Sequence, residues 1–355
     1  MSSPARRNLT LRMSTTSTFL TPAEAELLGR ARTGDDRAYG ELVDPHRRSL
    51  HAHCYRMLGS LEDADDAMQD ALLRAWRGIG RFQGRSSLRT WLYTIATNAC
   101  LQLVRRRPGR VLPREHGPSA GTKATGEPPL AETVWIEAYP EDPVATAPSP
   151  DTRYEERETL ELAFVAVLQH LPPRQRAVLL LRDVLDFSAS EAATLLETSV
   201  PSVNSALQRA RGTLRERAPE RSQQATLRDL GDQRSRALVT AYIEAIEHAD
   251  VDGVVAILTE DAAWSMPPLP SWYQGLDEII AFLTRSPFTL RWRHLPTRVN
   301  GQLAVGCYIW DAERGDFEAG VIDVLTLRGD RVAEVTAFLG GERFPRFGLP
   351  ERLPA

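Results

Sequence analysis

The sequence predicts a mainly α-helical protein, two helical domains of which the second carries a helix-turn-helix, followed by a C-terminal α+β domain. Three observations predict it. Apolar residues recur at three- and four-residue steps from about Pro22 to Val104 and again from Tyr154 to Arg217. A proline-rich, acidic stretch separates those two blocks, and beyond residue 229 helical spacing gives way to strand-like alternation. The 355 residues, 42% apolar and 25% charged, suit two or three globular domains.

Residues 1–21 read as a disordered tail. Arg6 and Arg7 are followed by Thr, Asn and Ser where an export signal needs an apolar core, and no window of the chain approaches a membrane span. Cys54, Cys100 and Cys307 form no close pair, which suits buried thiols in a reducing compartment. A cytoplasmic protein without membrane partners is expected. The total charge of -4 hides an uneven layout: residues 1–110 hold 18 basic and 11 acidic residues, a net +7, against -5 over 111–152. Only the first block is basic enough to suggest a polyanion.

Within 22–108, the segments LTPAEAELLGRA, AYGELVDPHRRSLHAHCYRML, DAMQDALLRAW and SLRTWLYTIATNACLQLV are amphipathic, with Gly34, Gly59 and Gly84 between them, so a bundle of about four helices follows. Residues 109–152 are an acidic, Pro-rich linker interrupted by one aromatic island, VWIEAY, which has the composition of a docking segment. Over 153–220, Pro172–Pro173 opens one helix, the capping box Ser188 to Glu191 opens EAATLLE, and Ser199 caps VPSVNSALQRARGTLRER. Residues 229–345 hold the helices ALVTAYIEAIEHAD, VDGVVAILTE and LDEIIAFLTR, then strands QLAVGCYIWD, AGVIDVLTLRGDRV and AEVTAFLG around a turn at Arg328–Arg331, which together suggest helices on a curved antiparallel sheet.

In the helix after Ser199, Val200, Val203, Leu207, Ala210 and Leu214 form the expected buried stripe. A short capped helix, a tight turn and a helix with small polar residues early and arginines late form the arrangement that enters a major groove N-terminus first. Ser202, Asn204, Ser205 and Gln208 then reach base edges, while Arg209, Arg211 and Arg215 suit phosphates. A plain helical hairpin with a solvated arginine face is the other reading of this segment alone.

The run LPPRQRAVLLLRDVLDFSASEAATLLETSVPSVNSALQRAR resembles region 4 of bacterial sigma-70 factors of the extracytoplasmic-function (ECF) type. DADDAMQDALLRAWRGIGRF with GRSSLRTWLYTIATNACLQLVRRR resembles region 2 of the same family. The resemblance implies a non-enzymatic transcription initiation factor whose partners are core RNA polymerase and promoter DNA, double- and single-stranded. Its polymerase contacts would be Asp63, Asp66, Gln69, Asp70, Leu73 and Trp76. Its minus-ten contacts would be Arg85, Ser86, Ser87, Arg89, Asn98, Arg105 and Arg106, and its minus-thirty-five contacts Ser202, Asn204, Ser205, Gln208, Arg209 and Arg211. The linker's negative charge suits either a segment that threads a cationic channel or an inert tether. His46, His51, His53 and Cys54 lack a common helix face, so no metal or cofactor is expected.

The C-terminal block, with PPLPSWYQG, VNGQ and FPRFGLP, resembles SnoaL-like domains, cone-shaped α+β folds related to nuclear transport factor 2, as in the sigma-G-like subgroup of actinobacteria. Trp264, Met266, Trp272, Tyr273, Trp292 and Trp310 would line a pocket for a small ligand or else fill the core. Asp261, His294, Asp311 and Asp323 are available acid–base groups, but no spacing pairs them. Covalent attachment without an enzyme motif points to regulation of the helical domains. The competing reading is a helix-turn-helix regulator fused to a SnoaL-like ligand-binding or enzymatic domain.

Overall fold

The computed structural model describes residues 20–107, 109–122, 128–130, 134–141 and 157–355. Most of the expected N-terminal tail therefore lies outside the described residues. The first module is a helical bundle of α1 (Pro22–Arg32), α2 (Asp36–Leu58), α3 (Leu61–Gly78) and α4 (Leu88–Val104). Each start is chemically marked. Thr21 and Glu24 form a reciprocal capping box on α1, and Asp35, Ser60 and Ser87 accept the first free N–H groups of the next three helices. Gly59, at φ +68°, ends α2 in the left-handed conformation and lets the chain reverse into α3. Leu42, Leu50, Tyr55, Met57, Ala64, Ala71, Leu92 and Ala96 pack the interior.

A short helix α5 (Pro113–His116) lies in the linker. The second module follows as α6 (Leu162–Gln169), α7 (Pro173–Leu179) continued by a π-helical turn to Val184, α8 (Ala189–Leu195) and α9 (Val200–Arg217).

The C-terminal domain opens with α10 (Gln223–Glu247), bent where Gly231 takes φ +76°, then α11 (Val251–Ile257) and α12 (Gly275–Arg285). Its strands are β1 (Leu258–Ser265), β2 (Trp272–Gln274), β3 (Trp292–Val299), β4 (Gln302–Asp311), β5 (Asp316–Arg328), β6 (Arg331–Leu339) and β7 (Arg352–Leu353). The order is β2-β1-β6-β5-β4-β3, with β7 beside β5. The sheet is mixed rather than antiparallel throughout, because β1 runs parallel to β6. Residues of VDGVVAILTE expected to be helical leave the helix at Leu258 for β1, whose register on β2 and β6 is set by chain segments distant in sequence.

Alternation gives the sheet two apolar faces. Val305, Cys307, Val321, Leu325 and Val335 point to an inner core covered by α10–α12. Ala304, Tyr308, Ile322 and Val324 belong instead to one apolar cluster shared with both helical modules. The three parts are therefore packed together, with the linker between them. Glu137 of the aromatic island puts its carboxylate on the N-terminus of α3, accepting from Leu61 N at 2.8 Å and Ser60 Oγ at 3.1 Å. Arg110, 5% exposed, reaches Asp63 at 2.5 Å and the Trp135 carbonyl at 3.0 Å.

The β3–β4 turn joins every part. Asn300, 1% exposed, donates to Tyr55 Oη (2.9 Å) and the Leu160 carbonyl (2.8 Å) and accepts from Tyr139 N (2.8 Å). Next to it Gly301 must be glycine twice over: φ is +71°, and a Cβ would stand 2.9 Å from the Arg157 carbonyl oxygen. Glu161 caps α10 by accepting from Gln223 N and Gln224 N; burial pushes its carboxyl up to about 7 against the pull of those N–H groups.

Candidate nucleic-acid and polymerase interfaces

Helix α9 packs on α7 and α8 through Val203, Leu207 and Ala210, with Leu214 half-buried. Val200 departs from the expected stripe at 38% exposure, because as the first helical residue it projects past that cover. On the other face Ser202, Asn204, Ser205, Gln208 and Arg209 are exposed and lie on one helix surface. Arg211 is exposed too, but Asp183 accepts from it at 2.6 and 2.8 Å, and these hydrogen bonds raise its pKa. It faces the solvent already paired.

On α3, Asp66, Gln69 and Leu73 are exposed, Leu73 at 48%, and Asp70 is half-buried beside Arg74. Trp76 is partly covered by Tyr39, ring centroids 5.0 Å apart. Asp63 departs from the expectation of a surface contact: it is 2% exposed, held by Arg110 and Arg107. The family resemblance groups it with Asp66 and Asp70, but Arg110 of the returning linker covers it.

The C-terminal domain reaches the same helix. Arg343 contacts Glu62 at 3.1 Å and Glu137 at 3.7 Å, and Arg346 contacts Asp65 at 2.8 Å. Burial would push the Asp65 carboxyl up, yet the hydrogen bonds and charges of Arg346 and His51 hold it below the usual range. His53 is fully buried against Thr97 at 2.9 Å, and desolvation pushes it down to about 3, so it is a neutral core residue.

Of the residues expected at the minus-ten element, Arg85, Arg105 and Arg106 are exposed, Ser86 is half-buried, and Ser87 caps α4. Arg89 is turned to the second module: it donates to the Leu185 carbonyl at 2.7 Å and lies 4.5 Å above the Phe187 ring. Asn98 lines a cavity of about 320 Å³ with Arg74, Gly78, Arg81, Phe82, Trp91 and Ile95. Phe82 and Trp91 form one wall, rings 4.9 Å apart. The sequence reading overlooked Arg81 and Phe82 there; an arginine and an aromatic directly before the glycine turn were the available signal.

The aromatic set assigned to the cone divides. Trp264, Met266, Tyr273 and Trp292 join the inner core, where Tyr273 stacks on Phe282 at 4.4 Å. Trp272 instead holds the linker, donating to the Gly117 carbonyl at 2.8 Å, and Trp310 packs on the outer side with Phe317 under Arg291. The acid–base candidates divide as well. Asp261 pairs with Arg328 and Asp311 with Arg352 at the surface. Asp323 is buried, accepting from Tyr242 Oη at 2.8 Å and Cys307 Sγ at 3.2 Å; burial pushes it up to about 6 against those two donors. His294 pairs with Glu247 at 3.1 Å.

Three family models match along the chain: Sigma-70 region 2 over residues 42–109, Sigma-70 region 4 over 161–214, and a SnoaL-like domain over 239–335. ECF RNA polymerase sigma factor SigG of Mycobacterium tuberculosis is 42% identical over 328 residues, covering 91% of this chain and 86% of that one. The chain belongs to the ECF RNA polymerase sigma factors.

Sigma factor SigM of the same organism is 33% identical over 192 residues, 54% of this chain and 83% of its own. The crystal structure of M. tuberculosis sigma factor SigJ shares the fold at a TM-score of 0.53 and 21% identity, over 86% of this chain and 97% of that one. As an ECF sigma factor the protein acts in transcription initiation and is not an enzyme. Regions 2 and 4 correspond to α2–α4 and α6–α9, and the SnoaL-like match runs from α10 to β6. No helix among the described residues is long and apolar enough to cross a membrane.

Proposed function

We propose that this sigma factor docks on core RNA polymerase through the exposed face of α3, reads the minus-thirty-five element with α9, and opens the minus-ten element at the Phe82–Trp91 cavity. We further propose that the C-terminal domain restrains regions 2 and 4 in a closed arrangement. The observation that carries this is the reach of Arg343 and Arg346 onto Glu62 and Asp65, the acidic side of the docking helix.

Asp66, Gln69, Asp70, Leu73 and Trp76 offer a polar rim around an exposed leucine, the makeup of a protein-docking face. The cavity joins the tilted Phe82 and Trp91 rings with the Asn98 amide and the Arg74 and Arg81 guanidiniums, which suits an unstacked base and its phosphate. Arg85, Ser86, Ser87, Arg105 and Arg106 would follow the opened strand. Arg89 is spent on region 4 while the closed arrangement lasts, so strand opening and separation of the two regions are coupled. A small ligand in the cone would act by favouring one arrangement, and the working compartment is the cytoplasm, where core polymerase is.

The test is core-polymerase affinity of the full chain with Arg343→Ala and Arg346→Ala together. Removing the exposed Arg343–Glu62 and Arg346–Asp65 pairs, together with the longer Arg343–Glu137 contact, is worth about 1 kcal/mol in all and should tighten binding about fivefold. Unchanged or weaker binding would overturn the restraint.

A further inference from the structure

The tip of α9 carries a side chain that neither the core nor the helix cap uses. Val200 is 38% exposed, one of four large apolar residues exposed among the described residues. Its polar neighbours are occupied: Ser199 Oγ accepts from Ser202 N at 3.3 Å and lies 2.9 Å from Ser202 Oγ, and Pro201 has no N–H to offer. What remains at the leading end of the helix is the valine's isopropyl group.

Val200, Asn204 and Gln208 stand four residues apart, so they form a single ridge along the exposed side of α9. The chemistry along that ridge is consistent. Asn and Gln amides match the N6–N7 edge of adenine, and the partner of adenine presents the only apolar group in the major groove, the C5-methyl of thymine. Four residues of helix advance about 6 Å, roughly the rise of two base pairs, so valine and amide would meet pairs about two steps apart.

We propose that Val200 is a specificity-determining residue that packs against the C5-methyl of a thymine in the minus-thirty-five element. This rests on the assignment of α9 to that element and adds an apolar contact to it. The recognition is of A·T character at the leading end of the helix, independent of phosphate charge.

The test uses holoenzyme reconstituted from core polymerase and the full chain, on a promoter it initiates from, with each thymine of the upstream element replaced in turn by deoxyuridine. Deoxyuridine removes the methyl and leaves base pairing intact. Loss of about one buried methyl should weaken promoter binding about fourfold at one position. Val200→Ala and Val200→Ser should show a similar loss on the thymine promoter and no further loss on the deoxyuridine one. The proposal falls if no thymine is sensitive, or if the sensitive one remains equally sensitive in both variants. Asn204→Ala and Gln208→Ala are measured alongside. If either relaxes selectivity while the valine variants change nothing, α9 reads DNA and only the valine contact is wrong. If none of the four changes selectivity, the assignment of α9 fails with it.

Discussion

Arg110 is the residue on which the attachment of the linker most depends, and burial sets the size of the effect. Replacing it with Met keeps most of the aliphatic stem and removes the charge. Asp63 and Glu137 stay behind, with side chains 2% and 7% exposed. Breaking a buried pair on one side costs about 3–5 kcal/mol, because the remaining charge is left without compensation. Here the lower end applies, since Arg107 still touches Asp63, and Ser60 and Leu61 N still serve Glu137. Arg343→Met is the matched control: Arg343 touches Glu137 as well, but its side chain is 35% exposed and its loss should cost under about 1 kcal/mol. Urea denaturation of the full chain, with midpoints compared at a common slope, measures both. Arg110→Met should cost about 3 kcal/mol and speed proteolytic cleavage near the aromatic island. If it costs no more than Arg343→Met, the buried arrangement of Arg110, Asp63 and Glu137 is not what anchors the linker.

Asn300→Ala should cost about 3 kcal/mol in the same denaturation experiment, since it strands buried partners on α2, the linker and the approach to α6 and leaves alanine at φ +54°. Asp323 gives a pH dependence whose sign follows from its raised folded-state pKa of about 6. Its contribution is complete below about pH 4 and is lost as pH rises through 6, so the stability difference between wild type and Asp323→Asn should shift by up to about 3 kcal/mol between pH 4 and 7. In promoter-binding competition, Gln208→Ala should relax selectivity at one base pair, whereas Arg209→Ala should weaken binding to all sequences and lower the salt dependence. Equal, sequence-blind losses from both would remove the division of roles.

Local chemistry was legible in the sequence. The caps at Ser188 and Ser199 and the turn at Arg328–Arg331 each depend on residues a few positions apart, and the structure has them where the sequence suggested, whereas β4 is a strand as expected but buried continuously over its first seven residues rather than alternating. Long-range placement was not. Nothing near Asp63 announces that Arg110, 47 residues on, will bury it. The strands β1, β2 and β3 carry weak alternation because their faces are covered by different parts of the chain, and the parallel β1–β6 pairing has no local signature. The aromatic island was recognisable as a docking segment by its composition, but its target was not, since Glu137 is addressed to the backbone of α3, which has no sequence code. The division of the cone's aromatics between two cores has the same origin: Trp310 lies on the outer face, against Phe317 and Arg291.

The most direct test of the central claim is in vitro transcription on fragmented genomic DNA of the source organism. Core polymerase alone is compared with core plus the full chain and core plus the Arg343→Ala, Arg346→Ala chain. The account predicts discrete start sites that share upstream elements, absent with core alone, and higher output at the same sites from the double variant. Initiation indistinguishable from core alone, with promoter DNA still bound, would contradict it.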